Sequence, residues 1–187
     1  MPTREFYVAV LAVLALAAAP RAQAQSPYRI GRPATPAEIA GWNIDIDRDG
    51  TNLPSGRGSV SRGHKVFDQQ CAGCHGAKGE GGVGDKLVGG QGTLATPKPI
   101  RTVGSYWPYA PTLFDYIRRA MPQNAPQSLS NEDVYAVCAY ILNLNGLLPS
   151  DAALDAKTLS AIEMPNRSML VGDPRPDVKN PACMTGC

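Results

Sequence analysis

The chain has 187 residues, with 18 Lys and Arg against 16 Asp and Glu, a formal charge of +2 and 43% hydrophobic residues. That length holds one domain or one and a half, and the lack of any basic block excludes nucleic acid as a natural partner. Beyond the N-terminus, no stretch is long and apolar enough to form a membrane helix.

Arg4 precedes an apolar run from Val8 to Ala19, Pro20 ends it, and Ala22-Gln23-Ala24 supplies a small-x-small cleavage site. This pattern predicts a secretory signal peptide over residues 1–24, and with it an exported, periplasmic protein. The run is shorter than the ~20 residues a bilayer span needs, although an uncleaved anchor is the alternative reading. Cleavage after Ala24 removes Arg4, Arg21 and Glu5 and takes the formal charge from +2 to +1. The mature chain then has no membrane span.

Residues 25–58 read as an N-terminal arm rich in Pro, Gly, Asp and Arg. One short helix is predicted in it, with Thr35 as N-cap, Pro36 as first residue and Glu38 closing a capping box. Ile44 and Ile46 alternate with Asp45 and Asp47, a pattern that suggests an added edge strand. Asp47, Asp49 and Gly50 lack the distant Glu of a calcium loop and read as a turn.

A core helix is expected from Val60 to Gln70, capped by Ser59, with Val60, Gly63, Val66 and Phe67 on one face. It runs directly into Cys71-Ala72-Gly73-Cys74-His75. This spacing is that of covalent haem c attachment: two thiols add to the haem vinyl groups, and the next residue reaches the iron. A thioredoxin-like pair would need a βαβ context, and a zinc site a second ligand pair. A single such pentapeptide implies one haem. Residues 76–92 then carry eight glycines in seventeen positions, a loop able to approach the haem edge closely because glycine has no Cβ. The stretch Thr96 to Trp107 holds two prolines and reads as extended.

A second helix is expected over Pro111–Ala120, with Leu113, Phe114 and Ile117 as its apolar face and Met121-Pro122 as its stop. A third should begin after the cap Ser130, with Glu132 and Asp133 in its first turn and Val134, Val137, Cys138, Ile141 and Leu142 at helical spacing. Asn145 or Gly146 is placed to end it in a left-handed cap. From residue 149 to 187 the chain is a tail with prolines at 165, 174, 176 and 181 and one short helix possible around Ala152 to Ile162. Such a tail packs on its own domain, binds a partner or is disordered. Of five cysteines, the pentapeptide uses two. Cys138 reads as a small buried hydrophobe, and Cys183 with Cys187 as a possible tail disulfide.

This order of elements resembles a class I cytochrome c. The resemblance implies a mainly α fold of three core helices around one haem, over residues 59–148, with an N-terminal arm and a C-terminal tail. It also implies a crossing of first and last helix through a small residue and an aromatic, which Gly63 or Phe67 and Tyr140 could supply. The sixth iron ligand it implies is a methionine, and Met121 fits best. Met164, Met169 and Met184 lie in the tail, and His64, the only other histidine, is expected to face solvent. Cys71, Cys74, His75 and Met121 are therefore the expected cofactor-binding residues, with His75 and Met121 on the metal. Arg101, Tyr106, Trp107 and Tyr109 are candidate neighbours of the propionates. Met/His ligation leaves no vacant position for substrate, so no catalytic residue is assigned.

Longer stretches resemble the cytochrome subunit of sulfur dehydrogenases of the periplasmic thiosulfate-oxidising system, and of related sulfite dehydrogenases. They are GRPATPAEIAGWNIDI, GGQGTL, TVGSYWPYAPTLFDYIRRAMP, QSLSNEDVYAVCAYIL and PACMTGC. The resemblance implies a molybdenum-cofactor dehydrogenase subunit as electron donor and another cytochrome c as acceptor. Some members carry a second haem domain after the tail, which this sequence does not show. A free electron shuttle without a stable partner is the competing reading, and a catalytic haem protein with an open iron or a cysteine ligand from the tail is a third.

Overall fold

The structure is a computed structural model and describes residues 30–169. The leader, Met184, Cys183 and Cys187 lie outside the described residues. The chain divides after Asn43.

In the first part, helix α1 (Pro36–Trp42) forms as its sequence dictates. The Thr35 hydroxyl accepts from the Glu38 N–H at 3.3 Å, and the Glu38 carboxylate accepts from the Thr35 N–H at 2.8 Å. Arg32 holds the same carboxylate through both of its terminal nitrogens. That ion pair, with the bonds the carboxylate accepts from the Thr35 N–H and hydroxyl, lowers the Glu38 carboxyl to about 2. No residue of α1 is buried.

The second part contains, in order, β1 (Gly58–Ser59), α2 (Val60–Gln70), α3 (Ala72–His75), α4 (Ala110–Ala120), α5 (Asn131–Leu144), β2 (Ala153–Leu154), α6 (Ala156–Ser160) and a 3₁₀ turn at Arg167–Met169. The fold is mainly helical, as expected. α2 starts where predicted, its Ser59 hydroxyl accepting from Arg62 N–H. α4 gains one residue, Ala110, before its proline. α5 is the centre of the core. Nine consecutive residues, Val134 to Leu142, are buried, because α2, α4 and both strands pack against it. A helix surrounded in this way must be apolar on every side, which these residues are except for two tyrosines. Tyr135 donates its hydroxyl to the Pro54 carbonyl at 2.7 Å. Its ring lies 4.4 Å from that of Phe114 on α4.

α2 and α5 cross with backbone nearly touching backbone. A Cβ on Gly63 would lie 2.5 Å from the Ala136 carbonyl carbon and 2.8 Å from Tyr140 Cβ. Phe67 meets Tyr140 edge-on at 5.3 Å, so Gly63 and Phe67 both contribute to the crossing. α5 ends at Asn145, whose φ is −88°. Gly146 takes the left-handed conformation at +72°.

Two expectations need correction. Ile44 and Ile46 form no edge strand. The Ile46 N–H donates instead to the Asp115 carboxylate at 3.2 Å, and Arg119 joins Asp45 and Asp115 with its two terminal nitrogens. Ile46 is buried, so this segment is pinned to α4 by side chains and gives up strand pairing. Residues 96–107 are not extended but folded into turns. Thr102 Oγ1 donates to the Gly89 carbonyl at 2.6 Å, Ser105 Oγ donates to the Ile100 carbonyl at 2.7 Å, and the Tyr106 N–H closes on the Thr102 carbonyl at 3.0 Å. Hydroxyls that bond the backbone locally compete with extended structure. The segment after residue 149 packs on the core through Leu154, Leu159 and Met164. The helix expected around 152–162 shortens to α6, because Ala153 and Leu154 pair with β1.

Candidate haem site

The last N–H bond of α2 runs from Cys71 to the Phe67 carbonyl at 2.8 Å. Cys71 then leaves helical geometry, and α3 is a single turn whose Cys74 and His75 N–H groups both return to the Cys71 carbonyl, at 3.1 and 3.0 Å. Gly76, at φ +82°, turns the chain away. Cys71, Cys74 and His75 are thereby held within one turn at the end of a helix that buries Val60, Gly63 and Phe67. Both thiols are free, with Cys71 half-buried and Cys74 exposed. Burial, with the neighbouring Cys74 adding to it, pushes the Cys71 thiol up to about 11.

His75 Nδ1 lies 2.7 Å from the Asp85 carbonyl oxygen. A carbonyl only accepts, so the proton of this hydrogen bond sits on Nδ1, and Nε2 is the nitrogen left outside it. The glycine loop supports this bond from below. Gly81 and Gly84 donate to the His75 and Cys74 carbonyls at 2.7 and 2.9 Å. A Cβ on Gly84 would sit 2.9 Å from His75 Cε1, so only glycine lets the loop backbone lie on the imidazole. The sequence reading assigned these glycines to the haem edge in general. It missed both Gly84's contact with the ring and the Asp85 carbonyl, because a backbone acceptor leaves no mark in residue identity.

Met121 is the C-cap of α4, extended at φ −121° and ψ 145°, and its side chain is partly buried against the core, as are Cys71, Ala72, Leu87 and Trp107. The other methionines differ. Met164 is buried in the core and Met169 is exposed. His64 is exposed, stacks on Tyr140 at 4.8 Å and faces Asp68 at 3.4 Å. The expected propionate neighbours make contacts of their own. Arg101 lies over Tyr106, Arg48 and Arg167 lie over Tyr109, and Trp107 meets Tyr116 edge-on at 5.7 Å. Cys138 is fully buried, which raises its thiol far above the ordinary range.

These residues suit haem c. Two free thiols three positions apart on one turn, followed by an imidazole already committed at Nδ1, present the right donors, and the adjoining side chains that border the core are apolar. Among the described residues no group of three or more His, Cys, Asp or Glu is placed to hold a metal ion directly. None of the helices described is long and apolar enough to cross a membrane.

Helices crossing through Gly63 and delivering such a turn define a c-type cytochrome, and the chain belongs to that family. Residues 58–141 match the family described as cytochrome C oxidase, cbb3-type, subunit III. The chain is also similar to one in the crystal structure of the sulfane dehydrogenase SoxCD from Paracoccus pantotrophus. The two are 38% identical with a TM-score of 0.74, over 84% of this chain and 78% of that one. No curated protein matches. The protein is therefore a cytochrome c electron-transfer protein.

Proposed function

We propose that this cytochrome is the electron-transfer subunit of a periplasmic sulfur- or sulfite-oxidising dehydrogenase. It would receive electrons singly from a molybdenum-cofactor subunit and pass them to another cytochrome c. The observation that carries this reading is the 38% identity with a chain of a sulfane dehydrogenase across 84% of the sequence, an extent that exceeds the 58–141 match to the broader family.

In this reading Cys71 and Cys74 would hold one haem c through thioether bonds, and His75 and Met121 would ligate its iron. The haem supplies one-electron chemistry at its iron. The chain's residues do the rest. Asp85 and Gly84 fix the imidazole plane and keep the Nδ1 proton in place. Met121, fixed by the end of α4, favours a high potential. The Gly63 crossing holds α2, and thus the attachment turn, at constant distance from α5.

The test is recovery of the holoprotein from its native periplasm with metal analysis of what accompanies it. Molybdenum near one-to-one with haem iron, together with haem reduction on adding sulfite or thiosulfate, is the expected result. Haem iron alone, with no stable companion, would replace this reading with that of a free shuttle.

A further inference from the structure

We propose that Asn145 is a positioning residue for His75. It tethers the loop that carries the histidine's hydrogen-bond acceptor to the end of α5. The proposal rests on His75 being an axial ligand.

Asn145 is 9% exposed. Its Nδ2 donates to two carbonyls, that of Ile141 at 2.9 Å on its own helix and that of Leu87 at 3.1 Å, 58 residues away. Its Oδ1 is buried with no hydrogen-bond partner among the described residues. The amide also fills the space that a Gly104 side chain would need, since a Cβ there would lie 2.7 Å from Asn145 Cγ. Burying an amide with one end unpaired costs free energy, and a leucine would fill the site without that cost. What leucine cannot do is hold Leu87.

Leu87 lies two residues after Asp85, whose carbonyl takes the His75 proton. The loop from Gly76 to Val88 also ties itself together, Leu87 and Val88 N–H both reaching the Gly79 carbonyl. Apart from His75, Asn145 is the only side chain outside residues 76–88 that hydrogen-bonds to them among the described residues. It joins the frame of α5 to the segment that sets the strength of the Nδ1–H···O=C bond. A firm bond there raises the basicity of a ligating imidazole, which favours the oxidised iron. Slackening it raises the reduction potential.

The experiment compares Asn145→Ala, Gly104→Ala and Asn143→Ala holoproteins with the native one. It reads the midpoint potential and the NMR exchange rate of the His75 Nδ1 proton. Asn143 is the control, because its Nδ2 makes the same kind of bond, to the Leu148 carbonyl at 2.8 Å, but leads away from the haem loop. Asn145→Ala should speed proton exchange at least tenfold. It should also raise the potential enough to shift the equilibrium with a fixed redox partner severalfold, tenfold corresponding to about 59 mV for one electron. Asn143→Ala should lower stability and move neither readout. An unchanged potential and exchange rate in Asn145→Ala, or equal changes in Asn143→Ala, would overturn the proposal. Should Asn145→Ala yield no folded holoprotein, Gly104→Ala, which crowds the amide in place, decides on the same two readouts. Absence of hyperfine-shifted His75 signals in the native protein would reject the ligand reading itself, independently of Asn145.

Discussion

Replacing Gly63 by alanine sets two effects of opposite sign against each other. Alanine in a helix interior is favoured over glycine by about 1 kcal/mol. Against this, the new methyl would lie 2.5 Å from the Ala136 carbonyl carbon and 2.8 Å from Tyr140 Cβ, where carbon atoms settle at roughly 3.5–4.0 Å. The obstruction is helix backbone, so α2 and α5 must part by about 1 Å. A gap of that size forfeits a quarter to a half of each dispersion contact, and some 40 atom pairs at ~0.1–0.2 kcal/mol line such a crossing. The loss is about 1–4 kcal/mol, in line with the usual cost of overpacking, and the net expectation after the propensity gain is destabilisation by about 1.5 kcal/mol. Guanidinium titration of the holoprotein, followed by far-UV circular dichroism, reads this as a lower midpoint at unchanged slope. A midpoint equal to or above that of the native protein would refute the reasoning, since helix propensity alone predicts a rise.

Met121→Ala should abolish the near-infrared band of Met-ligated ferric haem and lower the potential, and an intact band would reject Met121 as ligand. In the haem-free chain, iodoacetamide should alkylate exposed Cys74 well before Cys71. The Cys71 rate should climb about tenfold per pH unit up to pH about 11, because its raised pKa keeps the neutral thiol dominant below that value; a plateau near pH 9 would contradict the effect of burial. Asp115→Asn weakens the acceptor shared by Ile46 N–H and Arg119. It should cost about 1–3 kcal/mol and raise hydrogen exchange at Ile46, and unaltered protection there would show that the arm is held by other contacts.

Much of the helical frame is legible in the sequence because each helix carries its own signals. Ser59 and Ser130 cap where hydroxyls are expected, Thr35 and Glu38 close their box, and Met121 before Pro122 ends α4. The misread segments are those whose conformation depends on distant groups. Ile44 to Ile46 has the alternation of a strand, yet its N–H partner is a carboxylate 69 residues away. Thr96 to Trp107 holds two prolines that exclude a helix and reads as extended, but Ser105 and Thr102 bond backbone carbonyls at Ile100 and Gly89 and fold it into turns. At the site, the pentapeptide identified itself through side chains alone. The Asp85 carbonyl and the Asn145 tether stayed hidden because their roles come from backbone position and tertiary contact, which no local pattern encodes.

The placement of α5 also bears on the order of assembly. β1 packs against it so closely that a Cβ on Gly58 would lie 2.5 Å from the Glu132 carbonyl oxygen. Tyr135 holds Pro54 from 81 residues downstream. Residues 54–70 thus find their main packing partner only in a helix that ends at residue 144. Until that contact forms, the helix that carries the attachment turn lacks its main packing partner. The non-local contacts that would later enclose it carry a loop-closure cost that delays them further. The same topology that makes the finished crossing close also makes it late to form.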